Sequence, residues 1–155
     1  MRYDIRVILK GNIKTFQDRL VKNTAQKFNE TTYYHSKNPP HLTLKYSFET
    51  PNIKRIEETM RKITHNSKNG TFSLTGFGSF AYPKENYFVL YSKFALSRSC
   101  HTLQHKVIKV LKDEGIEIQK RDQKWVPHAT ICFTSSKENF NKIRNYLQKM
   151  TSSQA

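Results

Sequence analysis

Hydrophobic and polar positions change period several times along this chain, and each change marks an element. Tyr3, Ile5, Val7 and Leu9 alternate with Asp4, Arg6 and Ile8, the period of a half-buried strand. Gly11-Asn12 ends it. From Ile13 to Phe28 the apolar positions Ile13, Phe16, Leu20, Val21 and Phe28 give a helical stripe with a basic outer face. Residues 29–40 read as a loop, and Pro39-Pro40 then force extended backbone into a strand over His41–Phe48. Thr50-Pro51 is a helix start signal, and Ile53, Ile56, Met60 and Ile63 form that helix's buried face up to Asn69-Gly70. Thr71–Ala81 and Asn86–Phe94 read as a hairpin turning at Tyr82-Pro83-Lys84-Glu85. A helix from about Ser97 to Glu114 buries Leu103, Val107, Val110 and Leu111 and stops at Gly115. A basic connector, Glu117–Trp125, leads to a strand over His128–Phe133 and a helix from about Ser136 to Met150, buried through Phe140, Ile143 and Leu147.

The order strand, helix, strand, helix thus occurs twice. It predicts an α+β fold, a single domain over 1–155 with two similar lobes, about 1–81 and 86–150. The first lobe has a third strand in Thr71–Ala81, whereas the few residues after Met150 are too short for another. The second lobe is therefore expected to lack its last strand. Its open edge needs covering, and Ile116–Gln119, with Ile116 and Ile118 alternating, is the candidate.

One stretch is repeated outright. Pro39-Pro40-His41-Leu42-Thr43-Leu44-Lys45 returns as Val126-Pro127-His128-Ala129-Thr130-Ile131-Cys132, both reading Pro-His-apolar-Thr-apolar. In a strand, side chains two apart share a face, about 7 Å from one another. Each copy therefore presents one imidazole and one hydroxyl, while Leu42, Leu44, Ala129 and Ile131 point towards a core. A single His-x-Thr is ordinary in a half-buried strand. Two copies at matching points of two similar halves are not, and two imidazoles with two hydroxyls suit a phosphodiester.

Composition sharpens this. The 27 Lys+Arg against 12 Asp+Glu leave a net charge of +15 and a pI near 9.9. That excess favours a polyanionic partner, RNA or an oligonucleotide, although a Lys- and Asn-rich base composition alone would leave similar solvated faces. Hydrophobic content of 36% with 12% aromatics excludes a disordered chain. Cys100 and Cys132 lack the paired spacing of a zinc site and fit a reducing, cytoplasmic setting. No apolar run approaches the roughly 20 residues of a membrane span, and no membrane partner is expected; a monomer is.

The paired motif, His41-Leu42-Thr43-Leu44 and His128-Ala129-Thr130-Ile131, resembles that of the 2H phosphoesterase superfamily, which includes 2′-5′ RNA ligases and cyclic-nucleotide phosphodiesterases. Leu74–Phe80 running into Phe88–Tyr91 resembles that family's central hairpin, and the resemblance spans roughly residues 1–150. It implies two pseudo-symmetric lobes around a central cleft, with the motifs facing each other. It also implies catalysis by His41, Thr43, His128 and Thr130 on 2′,3′-cyclic phosphate ends or 2′-5′ linkages of RNA. Family members carry at least one more strand at the C-terminus than this chain can supply.

The chemistry is consistent with that. An imidazole titrates near pH 6.5, so one can act as base and the other as acid. The hydroxyls would donate to the non-bridging oxygens as charge grows there. Asp113/Glu114 and Glu57/Glu58 look like solvated helix faces, and His101/His105 lack a third ligand, so no metal and no cofactor is expected. Lys45, on the parity of Thr43, and Arg6, on the outward parity of the first strand, are candidates for the pocket rim. Trp125, Tyr33 and Tyr34 precede the motifs and are candidates for stacking a base, with ordinary packing as the alternative. Gly76-Phe77-Gly78 lacks the third glycine and helix of a phosphate loop and reads as a bulge or close-packing site. Two other functions fit the same features: an RNA-binding module without turnover, and a phosphodiesterase for a small non-nucleic metabolite.

Overall fold

A computed structural model describes residues 1–152 of the chain. Its elements run β1 (Arg2–Ile8), α1 (Gly11–Phe28), a one-turn α2 (Thr32–His35), β2 (His41–Glu49) and α3 (Ile53–His65). They continue with β3 (Phe72–Tyr82), β4 (Tyr87–Leu96), α4 (Arg98–Asp113), a one-turn α5 (Lys120–Gln123), β5 (His128–Thr134) and α6 (Lys137–Ser152). The α+β class read from the periodicities holds, with one-turn helices added in two stretches read as loop and connector.

The strands are shared out differently from the expectation. β1 pairs with β2 in a two-stranded sheet, and β3, β4 and β5 form a three-stranded one in that order. The hairpin partner of β3 thus decides its sheet, and the sheet expected to be short is the longer of the two.

Two compact units result, and each is stitched from three segments. One takes residues 1–7, 43–73 and 95–127; the other takes 8–42, 74–94 and the chain from 128 onward. They do not coincide with the sequential halves 1–81 and 86–150.

The first unit packs α3 against α4 around Leu44, Phe48, Ile56, Val107, Leu111 and Ile116. In β1 the alternation is plain: Tyr3, Ile5 and Val7 turn inward while Arg2, Asp4, Arg6 and Ile8 are exposed. Ile116–Gln119 is not a strand but irregular chain. Side chains bond the backbone of β2 instead. Trp125 Nε1 donates to Thr43 O at 2.8 Å, Gln104 Nε2 to Leu44 O at 3.4 Å and Gln119 Nε2 to Ser47 O at 3.2 Å, while Asp122 Oδ1 accepts the Tyr46 N–H at 3.0 Å. Helix α3 starts later than Thr50-Pro51 signals, because the Thr50 hydroxyl accepts the Asn52 N–H at 3.1 Å in a local turn and Asn52 takes the cap position.

The second unit lays α1 and α6 against β5. Its core is Leu20, Phe88, Leu90, Ile131, Cys132, Phe140, Ile143 and Leu147, with Phe88 and Phe140 stacked at 4.8 Å. Asn29, in the left-handed region at φ 53, closes α1. Glu30 then accepts hydrogen bonds from Thr134 Oγ1 at 2.6 Å and Asn139 Nδ2 at 2.8 Å, holding the end of β5 beside the start of α6.

Candidate active site

The second unit contains His128, Thr130 and His41. In β5 the burial runs half-buried His128, buried Ala129, half-buried Thr130, then buried Ile131 and Cys132 in succession. Alternation breaks there for a visible reason. Cys132 lies opposite Leu90 but Thr130 lies opposite Tyr91, so Ile131 is a bulged residue. The bulge turns both Ile131 and Cys132 into the core and leaves the imidazole and hydroxyl on the other face. β2 shows the same sequence of burial from His41 to Lys45. The repeat is therefore one of structure as well as of residues.

His128 is held by rings. Tyr91 lies 4.8 Å from it, and Phe80 meets it edge-on at 5.1 Å. Phe80 and Tyr91 are themselves 4.6 Å apart, and Gly78 makes the room, since a Cβ there would sit 2.5 Å from the Tyr91 ring. Gly78 is thus a close-packing site in β3, whereas Gly76, with open space around it, takes a backbone of φ 147 that favours glycine. Beneath Thr130, the fully buried Gln17 of α1 donates from Nε2 to Ala129 O at 3.2 Å and Thr130 O at 3.1 Å, and its Oε1 accepts the Ser92 hydroxyl at 2.7 Å.

His41 opens β2. Its Nδ1 is 2.8 Å from Pro39 O, an acceptor only, so Nδ1 carries the proton. That fixes the ring's tautomer, and Nε2 is then the nitrogen able to accept a proton when neutral or give one when charged. Pro39 and Pro40, which lead into His41, line a groove of about 410 Å³ together with Thr130. The approach to the first copy and Thr130 of the second thus line one groove. Thr43 belongs to the other unit, where its carbonyl takes the Trp125 indole N–H.

Of the remaining sequence candidates, Lys45 is not at a rim. It is wholly buried, its ammonium 2.8 Å from Asp122 Oδ2 and 2.9 Å from Tyr46 O, because the break in alternation after Leu44 turns it inward. Arg6 grips Asp4 on β1, with Nη2 2.7 Å from Oδ2. Trp125 presents its edge to His101 at 5.7 Å while donating to Thr43 O, so it serves packing and backbone bonding. Tyr33 is buried edge-on against Phe133 at 5.1 Å, though it and Tyr34 both reach the groove. Among the described residues no group of three or more His, Cys, Asp or Glu is placed to hold a metal ion, and no helix is long and apolar enough to cross a membrane.

Two residues on β4 escaped the sequence reading. In register, Lys93 stands opposite His128 and Tyr91 opposite Thr130. Directly opposed residues of an antiparallel pair share a face, about 5 Å apart at Cβ. Strand pairing supplies that relation, and no local pattern carries it. Burial holds the Tyr91 hydroxyl above its ordinary pKa, with Tyr82 adding to the shift, so it stays a neutral donor.

The chain is similar to three proteins provisionally named phosphoesterase. That of Geobacillus sp. (strain WCH70) is 31% identical over 126 residues, covering 79% of this chain and 68% of the relative. That of Bacillus cytotoxicus is 29% identical over 127 residues, covering 80% and 69%, and that of Geobacillus kaustophilus 28% over 126 residues, covering 79% and 68%. The model of the 2′-5′ RNA ligase superfamily matches residues 13–154, a span that holds both His-x-Thr copies. This chain belongs to the 2′-5′ RNA ligase superfamily, the 2H phosphoesterases.

Proposed function

We propose that the chain is a phosphodiesterase acting on RNA ends or oligonucleotides, at a 2′,3′-cyclic phosphate or a 2′-5′ linkage, without a metal. One of His41 and His128 takes the proton from the attacking oxygen; the other gives a proton to the leaving oxygen. Thr43 and Thr130 donate to the non-bridging oxygens. The observation that carries the reading is the repeat: both copies show the same run of burial, with a bulge in β5 leaving His128 and Thr130 together off the core. The surplus of cations favours RNA over an uncharged substrate. Two free thiols agree with work in the reducing cytoplasm.

The test is a screen in EDTA of oligonucleotides ending in 2′,3′-cyclic phosphate, of 2′-5′-linked ones and of 3′-5′-linked ones. Turnover of either of the first two is expected. Its rate should describe a bell against pH, because one imidazole must be neutral and the other charged, with the two limbs belonging to the pair. Turnover that appears only when a divalent metal is restored would sink the two-histidine mechanism.

A further inference from the structure

The internal repeat reaches beyond the His-x-Thr strands. At the spacing that separates His41 from His128, Tyr3, Ile5 and Val7 fall on Leu90, Ser92 and Phe94 of β4. Ile53, Ile56 and Met60 of α3 likewise fall on Phe140, Ile143 and Leu147 of α6. β1 is therefore the counterpart of β4. Yet β4 lies between β3 and β5, whereas β1 has β2 as its one strand neighbour among the described residues. No described strand takes the place beside β1 that β3 takes beside β4.

That place has an apolar floor. Tyr3 and Ile5 of β1, with Ile53, Ile56 and Met60 of α3, line a groove of about 390 Å³. In the other unit, Phe77 of β3 packs on the core that holds Phe140 and Leu147. A two-stranded sheet is marginal by itself, and a free edge offers its backbone N–H and C=O groups to a further strand.

An added strand must continue both faces of the sheet, half-buried Tyr3, Ile5 and Val7 on one and exposed Arg2, Asp4 and Arg6 on the other. A second β1 has that pattern. Directly opposed residues of an antiparallel pair share a face, so two copies related by a two-fold axis must oppose odd positions to odd ones. Three such registers pair at least five residues of each strand. Centred on Asp4, the register opposes two carboxylates; centred on Arg6, it opposes two guanidinium groups. Both are unfavourable. Centred on Ile5, it pairs all seven residues and sets Asp4 against Arg6 of the partner subunit and Arg6 against the partner's Asp4. Asp4 and Arg6 already bond within their own strand at 2.7 Å, so the pairing closes a ring of four alternating charges.

We infer that β1 is a self-docking edge, at which two copies of this chain join antiparallel, centred on Ile5, into a four-stranded sheet. The occupant is a second copy, in place of the monomer expected from the sequence, because the strand is complementary to itself in both apolar face and charge.

The experiment is sedimentation velocity over a concentration series, on wild type, Asp4→Arg, Arg6→Asp and the double exchange Asp4→Arg/Arg6→Asp. It is run at 0.15 M salt, where screening over about 8 Å limits repulsion between two copies of net charge +15. Wild type should approach twice 18.3 kDa as concentration rises. Each single variant opposes like charges twice across the seam and should dimerise about tenfold more weakly or worse. Mixing the two single variants should restore a dimer, because the cations of one then face the carboxylates of the other. The double exchange should dimerise like wild type. A wild type that stays monomeric at every concentration overturns the inference, as do single variants that dimerise like wild type. If a single variant does not fold, the double exchange decides alone: a dimer supports the Ile5-centred edge, and a monomer rejects it.

Discussion

Gln17 Nε2 lies 3.1 Å from the carbonyl oxygen of Thr130, so a helix glutamine holds the strand that carries the second motif. The same amide group serves Ala129 O and accepts from the Ser92 hydroxyl, and none of these atoms sees water at Gln17, which is fully buried. Gln17→Leu would leave two carbonyl contacts and a hydroxyl short of a partner. The expected loss is about 2–4 kcal/mol of stability, read as a lower urea midpoint. Rates should fall as well, with the limbs of the pH profile unmoved, because Gln17 positions Thr130 without touching the reacting atoms. A midpoint equal to wild type would mean the buried amide is dispensable.

His41→Ala and His128→Ala should each lower turnover by about 10²–10⁴-fold, the usual worth of one general acid or base. Their effects on stability should differ in cause. His128 packs against Phe80 and Tyr91, so its removal should cost about 1 kcal/mol in lost ring contacts, whereas His41 opens β2 with its Nδ1 on Pro39 O and should cost about one hydrogen bond, roughly 0.5–1.5 kcal/mol. Rates like wild type in either variant would remove that histidine from the mechanism.

Lys93 stands across the strand pair from His128. A cation at that range disfavours the charged imidazole. Lys93→Met should therefore move the profile of the histidine pair to higher pH and weaken substrate binding. Profiles that superimpose would show that the ammonium points elsewhere.

Lys45 and Asp122 form a pair without solvent, and Asp122 also accepts the backbone N–H of Tyr46 and, at 2.8 Å, of Gln119. Breaking such a pair strands a buried charge, at about 3–5 kcal/mol. Asp122→Ala should be worse than Lys45→Met, since it frees two amides as well as the ammonium. Equal urea midpoints for the two variants would contradict the role given to Asp122.

How far the sequence revealed this follows from the range of each interaction. The strand and helix periods, the His-x-Thr repeat and the hairpin of β3 with β4 depend on neighbours a few residues apart, and these were legible. The inward turn of Lys45 was not, because strict alternation puts it beside Thr43. The burial pattern breaks alternation after Leu44 as it does after Ile131, where in β5 the register between Leu90 and Tyr91 shows a bulge. Lys93 opposite His128, Gln17 beneath Thr130 and Asp122 beside Lys45 join residues 35 to 113 positions apart in the chain. Polar residues at such separations look like solvated positions until the fold buries them.

High pH offers the last test. Burial, with Glu30 adding to it, pushes the Cys132 thiol up to about 12 from an ordinary 9.0. Burial also raises Tyr91 and Tyr87, Tyr82 again contributing. In each case the folded protein keeps a proton that the unfolded chain gives up sooner. Stability from these groups is therefore fully present below pH 9 and lost as pH climbs towards 12, by up to about 4 kcal/mol for the thiol. Urea midpoints should be level from pH 7 to 9 and fall beyond it. Cys132→Ala should lower stability at pH 7 through the small cavity it leaves in the core, yet lose less between pH 9 and 12 than wild type does. Parallel curves for the two proteins over that window would show that the thiol ionises as freely in the fold as out of it.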